Sequence, residues 1–430
     1  MPLSYPIRSR TLDNGLRVVV SEDHLVPTVT VNIWVDVGSR HEQAGATGLA
    51  HLFEHLMFQG SENVAEGEHF SRIMSAGGQL NATTWFDRTA YFATVPTGAL
   101  ELVLWLEADR HRRLLPAVTQ ANLDNQRDVV KEEKRQRYDN QPYGTAVTDL
   151  IGLVFPEGHP YHHPTIGSMA DLDAATLPQV HAFYRRHYHP GATVIGIVGD
   201  VDPEQAFTLV ERHFGDWEPA ARAVPPPAEP LPPLADRPRE EHSERVPTER
   251  LYVGFRLPVA HTPEFTAASV ALDALGGLTV SRLHRTLVRR RDLATGCSAA
   301  AMGLVGGSSL GFVGVDVAEG VNPDEVEEVL DEELARFADE GPTELELAAS
   351  LADTERSWLE ATGAQEERAD LLSHFTLLHD DPHYLNQHLD DIAAVRPADV
   401  RRAAAHWLRP EQRATVAYRH GVGPGQEGAA

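Results

Sequence analysis

Two histidines four residues apart, His51 and His55, stand with Glu54 in the stretch Gly48-Leu49-Ala50-His51-Leu52-Phe53-Glu54-His55-Leu56-Met57-Phe58. On an α-helix, residues four apart share one face, one turn from each other. Both imidazoles can therefore point at a single metal ion. Glu54 follows His51 by three residues, so it borders the same face and can reach a water on that ion. Two ligands and an adjacent carboxylate are the parts of metal-assisted hydrolysis. The flanking residues Leu49, Leu52, Phe53, Leu56, Met57 and Phe58 make the helix apolar on most sides, which marks it as buried. Three titratable groups in such a helix are costly without partners or a metal. That cost favours a metal site over a chance pattern in a chain with 22 histidines.

A catalytic zinc ion takes three protein ligands and leaves one position open. The third ligand is expected on a helix over Thr119–Tyr138, within Arg127-Asp128-Val129-Val130-Lys131-Glu132-Glu133. Successive helical residues are about 100° apart, so only one of the two glutamates can face inward. With Val129 and Val130 marking the inward face, Glu133 falls almost on their mean direction and Glu132 roughly 110° from it. Glu133 is the expected ligand and Glu132 the alternative.

These residues need a scaffold. Thr11–Val20 reads as a hairpin, with an Asn14-Gly15 turn followed by a β-branched strand. In Thr28–Val37, Val29, Val31, Ile33, Val35 and Val37 alternate on one face of a second strand. A short helix over Ser71–Ala76 stops at Gly77-Gly78, and Asn81–Trp85 and Ala90–Val95 look like paired strands. An amphipathic helix spans Leu100–Leu115, and Ala192–Asp200 is a strand.

From residue 221 to 245 the chain is rich in proline and then charged, as an extended linker would be. It separates an N-terminal domain, residues 1–220, from a C-terminal domain, residues 246–422, with a flexible tail at 423–430. The second half opens in the same order as the first: a strand at Leu251–Arg256, then a helix at Pro263–Leu275 with no His-x-x-Glu-His. A distant internal repeat whose second copy lacks metal ligands is expected.

At 430 residues, two domains are the prior. A net charge of −26 argues against nucleic acid or an anionic membrane as partner. No apolar run reaches the roughly 20 residues of a membrane span, and the first residues lack a secretory pattern. The single cysteine, Cys297, rules out intrachain disulfides and suits a reducing cytoplasm, the expected location. His159, His162 and His163, in a Gly-Pro loop, read as surface or structural groups.

Taken together, His51-Leu52-Phe53-Glu54-His55, Gly77-Gly78-Gln79-Leu80-Asn81-Ala82 and Arg127–Glu133 resemble the insulinase/pitrilysin family of zinc peptidases, which carry an inverted zincin motif. The resemblance is to the short, two-domain branch that includes the mitochondrial processing peptidase. It implies an α+β fold of two homologous α/β-sandwich domains, each an antiparallel-rich sheet flanked by helices. It also implies a Zn2+ ion held by His51, His55 and Glu133, with Glu54 as general base. Asn81 and Ala82 would start an edge strand that holds peptide backbone by strand addition. Gln126 stands where many relatives carry a glutamate.

The family's C-terminal domain brings an arginine and a tyrosine, seven residues apart, to the active site. Here Val288 and Thr295 occupy those positions. The resemblance therefore implies a zinc-bearing endopeptidase subunit paired with a homologous, zinc-less subunit that supplies the Arg/Tyr pair, or else a homodimer. The competing reading is a non-catalytic structural or chaperone-like subunit. Retention of His51, Glu54, His55 and Glu133 together argues against it.

Overall fold

Runs of valine, isoleucine and threonine build two mixed sheets in the computed structural model, which describes residues 3–223, 225 and 228–421. The first sheet contains β1 (Arg8–Thr11), β2 (Arg17–Glu22), β3 (Thr28–Val35), β4 (Gln79–Thr84), β5 (Thr89–Pro96) and β6 (Thr193–Gly199), in the order β1-β2-β6-β3-β5-β4. Only β2 and β6 run parallel. The second contains β7 (Arg239–Glu244), β8 (Arg250–Leu257), β9 (Ala294–Met302), β10 (Ser309–Val317) and β11 (Ala414–His420), in the order β7-β11-β8-β10-β9. There only β7 and β11 are parallel.

With β1 set aside, the two orders match strand for strand. In each, the last strand pairs parallel with an outer strand and antiparallel with the first central one. Two further antiparallel strands complete each sheet. The helix after β3, α1 (Leu49–Leu56), has its counterpart in Pro263–Leu272 after β8. The repeat expected from element order is thus present in the topology, and the fold is α+β.

Contacts divide the chain into two units that are not contiguous in sequence. The first comprises described residues within 1–132, 164–226 and 357–389, and the second those within 133–163, 227–356 and 390–430. In the first unit, Val18, Val20, Val31, Ile33, Ile195 and Ile197 pack on helices Leu100–Arg113 and Pro203–Phe214. The opposite sheet face, with Val19, Trp34, Val194 and Val198, packs on Ala369, Leu372 and Phe375 of helix Gln365–Leu378. That helix lies so close to β6 that a Cβ at Gly196 would stand 2.5 Å from Ser373 Oγ.

In the second unit, helix Ala146–Val154 lies against β8, where a Cβ at Gly254 would meet Leu150 and Val154 at 2.9 Å. Each sheet is thus covered by a helix drawn from the other half of the sequence. The proline-rich segment expected to run as linker to Arg245 ends in order, since Arg239–Glu244 is the edge strand β7. The tail at 423–430 lies outside the described residues.

The start of α1 is fixed by a contact between two glycines. Gly48 has φ +87° and Gly167 has φ +72°, and a Cβ on Gly167 would come within 2.4 Å of the Gly48 Cα. Gly167→Ala is therefore expected to combine left-handed strain with overpacking and cost about 2–4 kcal/mol. Urea unfolding measures this directly. A variant as stable as the parent would show that the two backbones can part freely.

Candidate active site

Helix α1 carries the motif, and its surroundings hold it in place. At its N-terminus the Gly48 and Ala50 N–H groups donate to Glu42 Oε2 and Oε1 at 2.9 and 2.8 Å. This carboxylate satisfies orphan donors and complements the positive end of the helix. Leu52, Phe53 and Leu56 are buried. The Phe53 ring lies 4.6 Å from Tyr188 and 5.5 Å from Phe183, centroid to centroid. Burying each of these side chains contributes about 1.5–3 kcal/mol, which sets the rotation of the helix. His51, Glu54 and His55 are then left half-buried on its other side. The His51 and His55 Nε2 atoms approach to 3.4 Å.

The second carrier is α2 (Gln120–Lys134), with Leu123, Gln126 and Val130 buried. Arg127 anchors it by donating to the carbonyls of Leu172 and Ala175 at 2.8 and 2.7 Å. The unit boundary falls in its last turn, and Glu133 continues the same helix. Beyond Lys134 the helix widens into a single loose turn, Arg135–Asp139, so regular helix stops short of the expected Tyr138.

The inward face is not the one expected. Val129 is 43% exposed, while Val130 is fully buried. The true stripe runs Leu123, Gln126, Val130 and Glu133, with spacings of three, four and three. Glu133 is accordingly half-buried and Glu132 exposed. Arg137 makes an ion pair with Glu133 at 2.8 Å.

One ligand atom each of His51, His55 and Glu133 lies within 4.8 Å of the others. Two imidazoles and one carboxylate form a donor set of the kind catalytic zinc takes, with room for a fourth ligand. An Nε2 separation of 3.4 Å is close to the distance between two ligands bound about 2.1 Å from a tetrahedral ion. These residues fit a zinc ion.

Glu54 is held separately. Thr84 Oγ1, at the end of β4, donates to Glu54 Oε2 at 2.5 Å. β4 is the edge of its sheet, paired only with β5. Asn81 is exposed on this edge and Ala82 is buried, and the Ala82 N–H donates to Asn81 Oδ1 at 2.9 Å. The sequence reading singled out Asn81 and Ala82 but not Thr84. The period of two along a strand places Thr84 on the face of Ala82, and that was the available signal. Behind Glu54, Tyr91 and Tyr188 share a hydrogen bond of 2.7 Å. Burial, with the charge of Glu54 adding to it, pushes both phenols up, so they stay protonated.

Beneath this layer Glu107 is buried with Arg110 and His69. Burial works to raise its pKa, but the Arg110 guanidinium at 2.6 Å and the His69 ring hold it well below the usual range. Several histidines are buried as neutral groups. Burial pushes His41 and His187 down to about 3 and His111 to about 4. Below pH 6.5 the unfolded chain protonates these rings while the folded chain does not. Each then costs about 1.4 kcal/mol of stability per pH unit, until its folded value is reached. Urea midpoints are expected to fall markedly from pH 7.5 to 5.5. Equal midpoints would contradict neutral burial of these rings.

In the second unit, Val288 packs against the apolar core and Thr295 lies exposed on β9, its hydroxyl 3.5 Å from the Asp316 carbonyl. No described helix is long and apolar enough to cross a membrane.

Comparison with known proteins adds the following. Residues 17–166 match the family described as "Insulinase (Peptidase family M16)", and residues 174–352 match the "Peptidase M16 inactive domain". A zinc protease of Mycobacterium leprae, described as uncharacterized, is 32% identical over 368 residues, 83% of this chain and 81% of that one. Zinc protease PqqE of Helicobacter pylori is 29% identical over 425 residues, 95% of this chain and 91% of its own. The crystal structure of a protease from Helicobacter pylori matches with a TM-score of 0.89 at 26% identity, covering 96% of this chain and 99% of that one.

Proposed function

The chain belongs to the insulinase family of peptidases, M16, and from that premise we propose that it is a zinc-dependent endopeptidase subunit acting on peptides or unfolded polypeptides. The observation that carries this reading is the convergence of His51, His55 and Glu133 beside a carboxylate, Glu54, that is held by the sheet-edge strand. His51, His55 and Glu133 would hold the ion. When bound, zinc lowers the pKa of a water towards neutrality and polarises the scissile carbonyl.

The rest of the chemistry falls to the chain. Glu54 takes the proton from the attacking water and delivers it to the departing amine. Thr84 orients the Glu54 carboxylate by donating to Oε2. Because Thr84 ends β4, a peptide added to this edge at Asn81 and Ala82 runs its backbone past the base. Strand addition reads main chain, which suits extended or unfolded substrates.

With Val288 and Thr295 in place of an Arg/Tyr pair, the oxyanion donors come from another chain, a homologous zinc-less subunit, and the two chains enclose the substrate chamber. The single cysteine, Cys297, suits a cytoplasmic setting. The second reading, a non-catalytic subunit, draws on the description "inactive domain". That match spans residues 174–352, which contain none of His51, Glu54, His55 and Glu133.

The test is peptide hydrolysis by the purified chain, alone and mixed with a zinc-less homologue, before and after chelation. Activity is expected to rise at least tenfold on mixing, to vanish with chelator and to return with zinc. Equal rates with and without the homologue would remove the heterodimer. Rates indifferent to chelation would remove the zinc mechanism.

A further inference from the structure

We propose that Asp149, Glu240 and His242 form a second divalent-metal site, in the second unit and separate from the first. Asp149 lies in the first turn of helix Ala146–Val154. Glu240 and His242 are two residues apart on β7, so both point to the same face of the strand. His242 Nε2 stands 3.1 Å from Asp149 Oδ2 and 3.5 Å from Glu240 Oε1. All three ligand atoms lie within 4.8 Å of one another. These separations bracket the 3.4 Å between the His51 and His55 nitrogens, and they suit ligand atoms about 2.0–2.2 Å from a common ion.

A second observation points to a ligand. His242 Nε2 and Asp149 Oδ2 are both buried and stand 3.1 Å apart as an ion pair, yet the pair lacks the alignment of a hydrogen bond. Buried polar atoms are ordinarily satisfied by aligned partners. An ion between them would satisfy both at once.

The imidazole is also oriented as a ligand. It stacks on Tyr418, its cross-strand neighbour, at 4.7 Å and 20°. The Tyr418 hydroxyl is tied to Thr145 Oγ1 at 3.0 Å, immediately before the helix that carries Asp149. On the far side of the ring, Nδ1 stands 3.9 Å from Glu244 Oε1, in ion-pair range. One imidazole with carboxylates and no thiolate selects zinc or another first-row divalent ion.

The role would be structural. β7 follows the proline-rich segment, is mostly exposed, and is paired on one side only, by its parallel ladder with β11. An ion shared with Asp149 would fasten this edge strand to the helix that covers the sheet.

The test uses the full chain with His51→Ala and His55→Ala, which removes the first site. After equilibration with Zn2+ or Co2+ and removal of free ion, one metal per chain is expected. Co2+ should give the visible absorption of a low-symmetry site, and Zn2+ should raise the thermal midpoint. Adding His242→Gln, or independently Asp149→Asn, is expected to abolish all three signals while the circular dichroism stays that of the folded chain. A parent that binds no metal, or a His242→Gln chain that keeps it, would overturn the proposal.

Discussion

Glu54→Gln is expected to lower peptide hydrolysis by about two to four orders of magnitude while leaving bound zinc unchanged. The side chain keeps its size, and its amide oxygen can still accept from Thr84 Oγ1, the 2.5 Å contact that orients the group. What it loses is the ability to take a proton from water. Glu54 is outside the three groups that converge on one point, His51, His55 and Glu133, so metal content should not follow activity. Zinc per chain and initial rates, measured on one preparation, separate the two roles. Turnover within tenfold of the parent would exclude Glu54 as the base. Loss of zinc with activity would make Glu54 a ligand instead.

The second large effect distinguishes the adjacent glutamates. Glu133→Gln is expected to weaken zinc binding by at least about a hundredfold, and activity with it, because it removes the only anionic ligand. Glu132→Gln should change neither, since Glu132 is exposed, about 100° around the helix from Glu133. Competition with a chromogenic chelator gives both affinities. A reversed ranking would mean that α2 turns in solution to present the other carboxylate.

How far this site could be read from sequence depended on how local its determinants are. His51, Glu54 and His55 belong to one helical turn, so 3.6-residue periodicity alone placed them. Glu133 was reached through Val129 and Val130, and half of that argument failed, because Val129 is 43% exposed. The residue still lies on the buried stripe because Gln126 and Val130, seven and three positions earlier, define it. A buried glutamine is invisible to a reading that marks the inward face by apolar residues. Thr84 was legible only as a strand residue, because its partner comes from another element and neither periodicity nor spacing encodes that pairing.

At the level of fold, alternation in β3 and the Asn14-Gly15 turn gave strands and hairpin directly. The Leu16 N–H indeed donates to Asn14 Oδ1 at 3.1 Å. The exchange of covering helices was not legible. Leu150 and Val154, or Ala369 and Leu372, show that a helix has an apolar face, but say nothing of which sheet receives it. β7 was missed for a related reason. Its residues, Arg-Glu-Glu-His-Ser-Glu, lack alternation, and the strand exists because β11 offers a parallel edge.

The central claim is that His51, His55 and Glu133 hold one catalytic zinc. Diffraction from zinc-loaded crystals, collected on both sides of the zinc absorption edge, tests it most directly. An anomalous peak about 2.0–2.2 Å from His51 Nε2, His55 Nε2 and a Glu133 oxygen is expected. No peak there, or a peak bound by the histidines and Glu132, would contradict it.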